Sequence, residues 1–274
     1  MTERRVGTYR KITSVSNPLV KEIRGLHLKK NRDAGRLFLA EGQKLVRDAL
    51  AAGWSIETLI YGAQSADDEA VGTLAARTKA SGGMVMEVTR QILEKISRRD
   101  NPQAVLGVFA QRLTKLADAG QEGLWLALDR VRDPGNLGTI IRTCDGAGVK
   151  GVVLVGETCD PFALETVRAT MGSLFHVPMA RAGEAEFLAH MRSAPARLVG
   201  THLHAQADYR GADYRRPLVL VMGNEQQGLT DALSQACDLS VRIPMVGEAD
   251  SLNLAVSTGL MIYEALRDEL PAAV

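Results

Sequence analysis

The chain has 274 residues, 46% hydrophobic and 24% charged, with 26 Gly, 9 Pro and a net charge of +1, the composition of a globular chain with one large or two medium domains. No apolar run approaches the ~20 residues of a membrane span, and the N-terminal "MTERRVGTYRKITS" lacks the apolar centre of a signal peptide. The three Cys (Cys144, Cys159, Cys237) have no CxxC or Cys/His spacing, so the expectation is a cytoplasmic protein with reduced thiols and neither membrane nor metal.

Residues 1–36 hold ten Lys/Arg against three Asp/Glu, while the remainder carries a net −6. Leu19, Ile23 and Leu26 repeat there at helical spacing, interleaved with Lys21, Arg24, Lys29, Lys30 and Arg32. The pattern predicts one amphipathic helix with a cationic outer face suited to nucleic-acid phosphate. "RLFLAEG" then reads as a strand, 43–52 as a helix and "SIETLIYG" as a strand. "DDEAVGTLAARTKASGG" reads as a helix closed by glycines, "MVMEV" as a strand, "TRQILEKIS" as a short helix and "AVLGVFAQR" as a strand. This alternation makes an α/β unit over 1–113, followed by a Gly-containing linker over 114–121.

A second α/β unit, 122–274, begins at "LWLALDRV" and continues through "GVVLVG", "FHVPMA", "RLVGTHL", "PLVLVMGNE" and "LSVRIPM". Its near-continuous apolar strands suit a parallel sheet covered on both faces. Ligands of such sheets bind outside the carboxyl ends of the strands, where three unusual stretches fall. In "DRVRDPGNLGTIIRTCDGAG", Asn136 reads as a helix cap and Arg142, six positions on, shares its face only loosely. In "VLVMGNEQQGL", Gly223 permits close backbone approach and Glu225 falls in the loop. In "IPMVGEADSLNLAVSTG", Ser251 reads as a cap and Asn253 as a polar residue inside the first helical turn, where Asn is unfavourable. No GxxxxGK[ST] or GxGxxG motif follows a strand, which argues against phosphate-loop and dinucleotide chemistry. His202 and His204 have no third ligand beside them in sequence.

Taken together, "NLGTIIRTCDGAG", "VMGNEQQGL" and "IPMVGEADSLNLAVSTGLMIYEA" resemble the three motifs of the SpoU (TrmH) family of RNA ribose 2′-O-methyltransferases, in the SPOUT class. "ITSVSNPLVKEIRGLHLKKNR" and "GRLFLAEGQKLVRDAL" are similar to the substrate-binding domain of its ribosomal-RNA members, which has the ribosomal protein L30e fold. The resemblance implies an L30e-like RNA-binding domain followed by a parallel-sheet methyltransferase domain tied in a trefoil knot. It implies S-adenosylmethionine as cofactor, 23S ribosomal RNA as the substrate, and a homodimer through the C-terminal domain. Carried over residue by residue, Arg142, Asn136, Glu225, Ser251 and Asn253 match the family's catalytic positions. Gly223, Ile243 and Leu252 match positions whose backbone holds the methyl donor, with Met245 adjacent, and Thr201, at the strand end beside His202 and His204, is expected to line the same pocket. A guanidinium holds its proton at neutral pH, so the expected work of Arg142 is to grip phosphate and stabilise a developing oxyanion. Transfer-RNA ribose methylation, a resistance methyltransferase and a non-catalytic RNA-binding assembly factor are the alternatives.

Overall fold

The structure, a computed structural model, describes residues 6–271; Arg4 and Arg5, part of the N-terminal basic excess, lie outside the described residues. The chain divides into two compact units, one of residues 1–111 with Phe162–Phe175, the other of Arg112–Pro161 with residues 176–274.

The first unit is built on five strands: β1 (Thr8–Ile12), β2 (Leu37–Glu41), β3 (Ile56–Gly62), β4 (Met84–Val88) and β5 (Val105–Ala110), in the spatial order β1-β4-β3-β5-β2. β1 and β3 run parallel to β4, and β5 is antiparallel to β3 and β2. Its helices are α1 (Pro18–Gly25), α2 (Lys29–Gly35), α3 (Gln43–Ala51), α4 (Glu69–Ala80) and α5 (Arg90–Ser97). Val20, Ile23, Ile60, Met86, Ile92 and Leu106 belong to one buried core.

The single basic helix expected near residue 17 is two helices. Asn17 caps α1 through Leu19 N (2.9 Å), and Pro18 opens its first turn, as its fixed φ favours. The turn between the helices is then sealed from α2: Asn31 Nδ2 donates to Gly25 O (2.8 Å), and Arg32 Nη1 donates to Leu26 O (2.7 Å) and His27 O (2.9 Å). Terminal helix carbonyls need such partners. Arg32, predicted on the cationic outer face, is therefore only 4% exposed.

The second unit holds β6 (Leu124–Asp129), α6 (Pro134–Ala147), β7 (Gly151–Val155), β8 (Met179–Ala182), α8 (Glu184–Met191), β9 (Arg197–Thr201) and β10 (Ala207–Asp208). It continues with β11 (Leu218–Met222), α9 (Asp231–Ala236), β12 (Leu239–Arg242) and α10 (Leu254–Ala265). All strand pairs are parallel, in the order β10-β12-β9-β11-β6-β7-β8. The apolar runs of β6, β7 and β11 are buried throughout, as strands covered on both faces must be.

The helix between β7 and β8, α7 (Leu164–Ala169), belongs with the first unit. Phe162 packs on Phe38 (centroids 5.0 Å apart), Phe175 packs on Trp54 (5.3 Å), and Trp54 Nε1 donates to Phe175 O (3.0 Å). The strand expected from Phe175 consequently starts only at Met179.

Candidate active site

β6, β9, β11 and β12 end together at one edge of the parallel sheet, and the three singled-out stretches continue from such ends or the loops beyond them. β11 leads through Gly223 into a tight turn closed by Asn224 N to Gly228 O (3.0 Å) and Gly228 N to Asn224 O (2.9 Å). Asn224, nearly fully buried, accepts from Gln226 N (2.9 Å) and Gln227 N (3.2 Å) through its Oδ1. A Cβ at Gly223 would lie 2.3 Å from Gly228 C and 2.4 Å from Leu229 N. The chain itself thus occupies the space that the missing side chain leaves, and the turn folds flat against the strand end.

Two caps differ from the sequence expectation. Asp133, not Asn136, caps α6, its Oδ1 accepting from Asn136 N at 2.7 Å. Asn253, not Ser251, caps α10, its Oδ1 accepting from Ala255 N (2.8 Å) and Val256 N (3.3 Å). Capping removes the cost of an interior Asn and leaves both amide groups free to meet. Asn253 Nδ2 donates to Asn136 Oδ1 (2.9 Å), and Asn136 Nδ2 donates to Glu225 Oε1 (3.1 Å). Three predicted residues from three separate stretches therefore form one hydrogen-bonded chain. Each asparagine uses its donor end on an acceptor, so the order is polarised toward the carboxylate.

Arg142 and Ser251 are not part of this chain. Arg142 is exposed, further along α6, and among the described residues it makes no hydrogen bond or ion pair. Ser251, also exposed, lies on the wall of an adjoining cavity.

That cavity has a volume of about 330 Å³, at the small end of ligand pockets. Thr201, Gly223, Ile243, Met245 and Leu252 all line it, with Met222, Val241 and Leu254 adding apolar surface. Glu225 and Ser251 also reach it. His202 and His204 stand on its wall with rings 5.6 Å apart, His204 N donating to His202 Nδ1 (3.1 Å). Among the described residues, no group of three or more His, Cys, Asp or Glu is placed to hold a metal ion. Burial pushes the Cys159 thiol up to about 12, with the Glu225, Asp133 and Asp160 charges adding to it. It stays protonated at neutral pH and offers no nucleophile.

In the first unit, Lys21, Arg24 and Lys30 are exposed, while Lys29 pairs with Asp33 at 2.5 Å. Asn224 carries no distinguishing signal in the sequence, since an Asn after a glycine looks like ordinary loop chemistry. Its burial is what distinguishes it.

The family model described as the SpoU rRNA methylase family matches residues 123–263. A second model, the MRM3-like substrate binding domain, matches residues 17–107. The chain is 32% identical over 254 residues to the 23S rRNA (guanosine(2553)-2′-O)-methyltransferase RlmP of Bacillus subtilis, covering 93% of this chain and 98% of that one. It is 32% identical to the 23S rRNA (uridine(2479)-2′-O)-methyltransferase of Streptomyces viridochromogenes, covering 85% of this chain and 83% of the relative. An rRNA methyltransferase from Sinorhizobium meliloti, solved with AdoMet bound, is 53% identical with a TM-score of 0.91, over 96% of this chain and 99% of its own. The motifs, the fold and these relatives agree: the chain belongs to the SpoU rRNA methylase family.

Proposed function

We propose that this chain, a member of a family of S-adenosylmethionine-dependent RNA 2′-O-methyltransferases, methylates one ribose of 23S ribosomal RNA in the cytoplasm. The carrying observation is the meeting of the Asn253–Asn136–Glu225 chain with the cavity lined by Thr201, Gly223, Ile243, Met245 and Leu252. The two relatives named for 23S rRNA and the AdoMet-bound relative support the substrate and cofactor.

The cavity chemistry fits S-adenosylmethionine. Ile243, Leu252, Met222 and Leu254 offer apolar cover for an adenosyl group, and Thr201 and the Glu225 turn offer polar contacts. The cofactor supplies an electrophilic methyl group for in-line displacement. The residues of the chain need only bind, align and manage a proton. Asn136, Glu225 and Asn253 hold one another and so fix the lip over which a ribose would enter, with Ser251 beside it. Arg142, with no partner of its own among the described residues, is available to an RNA phosphate and to negative charge developing on the 2′-oxygen. Its guanidinium stays protonated, so it stabilises charge and is not the base.

The first unit would hold RNA through Lys21, Arg24, Lys29 and Lys30. A homodimer through α10 is part of the same reading: Val256, Leu260 and Tyr263 lie at i, i+4 and i+7 and are 53%, 39% and 49% exposed, an apolar stripe that asks for cover. So is the trefoil knot. Residues 202–217 run out to pair as β10 beside β12 and return to β11. They are fastened to α10 by Gly211 N donating to Glu264 Oε1 (3.1 Å) and Arg216 Nη2 donating to Ala265 O (2.8 Å).

Incubating the purified chain with methyl-labelled S-adenosylmethionine and, in separate reactions, 23S rRNA or transfer-RNA transcripts tests the activity. Label is expected in an alkali-resistant dinucleotide, the mark of a blocked 2′-oxygen, and chelator should leave the rate unchanged. Label confined to bases, or to transfer RNA alone, would contradict the reading.

A further inference from the structure

The turn that carries Glu225 is gripped by two residues outside the cavity. β6 ends at Asp129, which is 1% exposed, and Arg130 follows with φ +49. In a continuing strand these side chains would point to opposite faces. The left-handed backbone at Arg130, uncommon for a residue with a side chain, instead turns the guanidinium back onto its neighbour. Nε donates to Asp129 Oδ1 (2.9 Å) and Nη2 to Asp129 Oδ2 (3.0 Å). The rest of the fork then crosses to the turn: Nη1 donates to Gln227 Oε1 (2.8 Å) and Nη2 to Gly228 O (3.3 Å). The main chain of Arg130 holds the turn's first residue, its carbonyl accepting from Asn224 Nδ2 (2.8 Å). Asp129 holds the far side, Oδ2 accepting from Thr230 N (3.2 Å).

We propose that Arg130 is a positioning residue for methyl transfer: it fixes the Asn224–Gly228 turn as a wall of the methyl-donor cavity and thereby holds Glu225 opposite Asn136. The proposal rests on the reading that this cavity takes S-adenosylmethionine. Two observations favour holding the turn over receiving an RNA phosphate. Nearly all the guanidinium's N–H groups are committed to protein acceptors, and those acceptors sit on both sides of it. A lysine could keep the charge against Asp129, but a single ammonium cannot reproduce a planar fork bridging Asp129, Gln227 and Gly228.

Removing Arg130 also strips a buried carboxylate of its partner, which can destabilise the fold. Gln227, exposed on the turn and itself on the cavity wall, gives a milder probe of the same bond, and the double variant separates loss of that bond from loss of a direct donor contact. The test is calorimetric titration of S-adenosylmethionine into the full-length chain, with melting temperatures taken without ligand. Wild type, Gln227→Ala, Arg130→Lys, Arg130→Ala and the double variant Arg130→Ala/Gln227→Ala are compared. Gln227→Ala is expected to weaken donor binding by up to about fivefold, the value of one hydrogen bond, with a melting temperature lowered by no more than about 2–4 °C. Arg130→Lys should keep most of the melting temperature yet lose at least as much affinity. The double variant should bind no more weakly than Arg130→Ala, because both changes remove one shared contact. Unchanged affinity in Gln227→Ala and Arg130→Lys, or additive losses in the double variant, would overturn the proposal while leaving the cavity reading intact. A wild-type chain that binds no donor would overturn both.

Discussion

Asn253 does two things with one amide. Its oxygen caps α10 and its nitrogen reaches Asn136, so the residue that starts the last helix also orders the lip of the site. The two functions can be separated by substitution. Asp is as good a cap as Asn, but a carboxylate has no N–H to offer Asn136. Asn136 has a single donor end and cannot satisfy carboxylates on both sides. Asn253→Asp should therefore melt within a degree or two of wild type while methyl transfer falls roughly tenfold or more, the loss of a charge-compatible hydrogen bond. Asn253→Ala should lose the same activity and, in addition, about 1 kcal/mol of stability with the cap. Melting curves and labelled-methyl transfer on the same preparations read both. An Asn253→Asp chain with full activity would remove Asn253 from the site.

At the scale of elements, α1 and α2 divide the basic residues by task. Lys21, Arg24 and Lys30 face solvent, whereas Arg32 points inward and closes the α1 terminus. Replacing Lys21, Arg24 and Lys30 with Gln should flatten the salt dependence of RNA binding, each lost phosphate contact removing about 0.7–0.9 of log–log slope. Arg32→Gln should instead lower the melting temperature and leave that slope unchanged. Filter binding across a salt series decides it: equal slopes for wild type and the triple variant would make this face merely solvated. The sequence carried the charge and the apolar spacing of this region but not its break, because the Arg32-to-Leu26 bond that closes α1 belongs to packing and not to periodicity. The same limit hid β1. In "TYRKI" only Ile12 is buried, so the strand is specified by pairing with β4 and has almost no apolar pattern of its own. The runs "LWLALD", "GVVLV" and "LVLVM" were legible because a strand buried on both faces must be apolar at every position.

At the scale of the whole molecule, the family motifs identified which residues to bring together, and the fold explains how three distant stretches meet. β6, β11 and β12 end at one edge of the sheet, and the segments beyond them supply Asn136 in the first turn of α6, Glu225 in the turn after β11 and Asn253 at the cap of α10. What no local pattern could reveal is the fate of Phe162–Phe175. It follows β7 in the chain yet completes the aromatic cluster of the first unit. A cut at residue 113 would part Phe38 and Trp54 from Phe162 and Phe175, so the basic unit and its aromatic core do not end where composition changes. The proposed activity is methylation of one ribose of 23S rRNA, with Arg142 stabilising charge beside the Asn253–Asn136–Glu225 chain. Nucleotide-resolution mapping of 2′-O-methylation across 23S rRNA tests it, in cells lacking the gene and in the same cells given back wild type or Arg142→Ala. One modified ribose is expected to be lost on deletion, restored by wild type and not by Arg142→Ala. A map that is unchanged by deletion, or fully restored by Arg142→Ala, would contradict it.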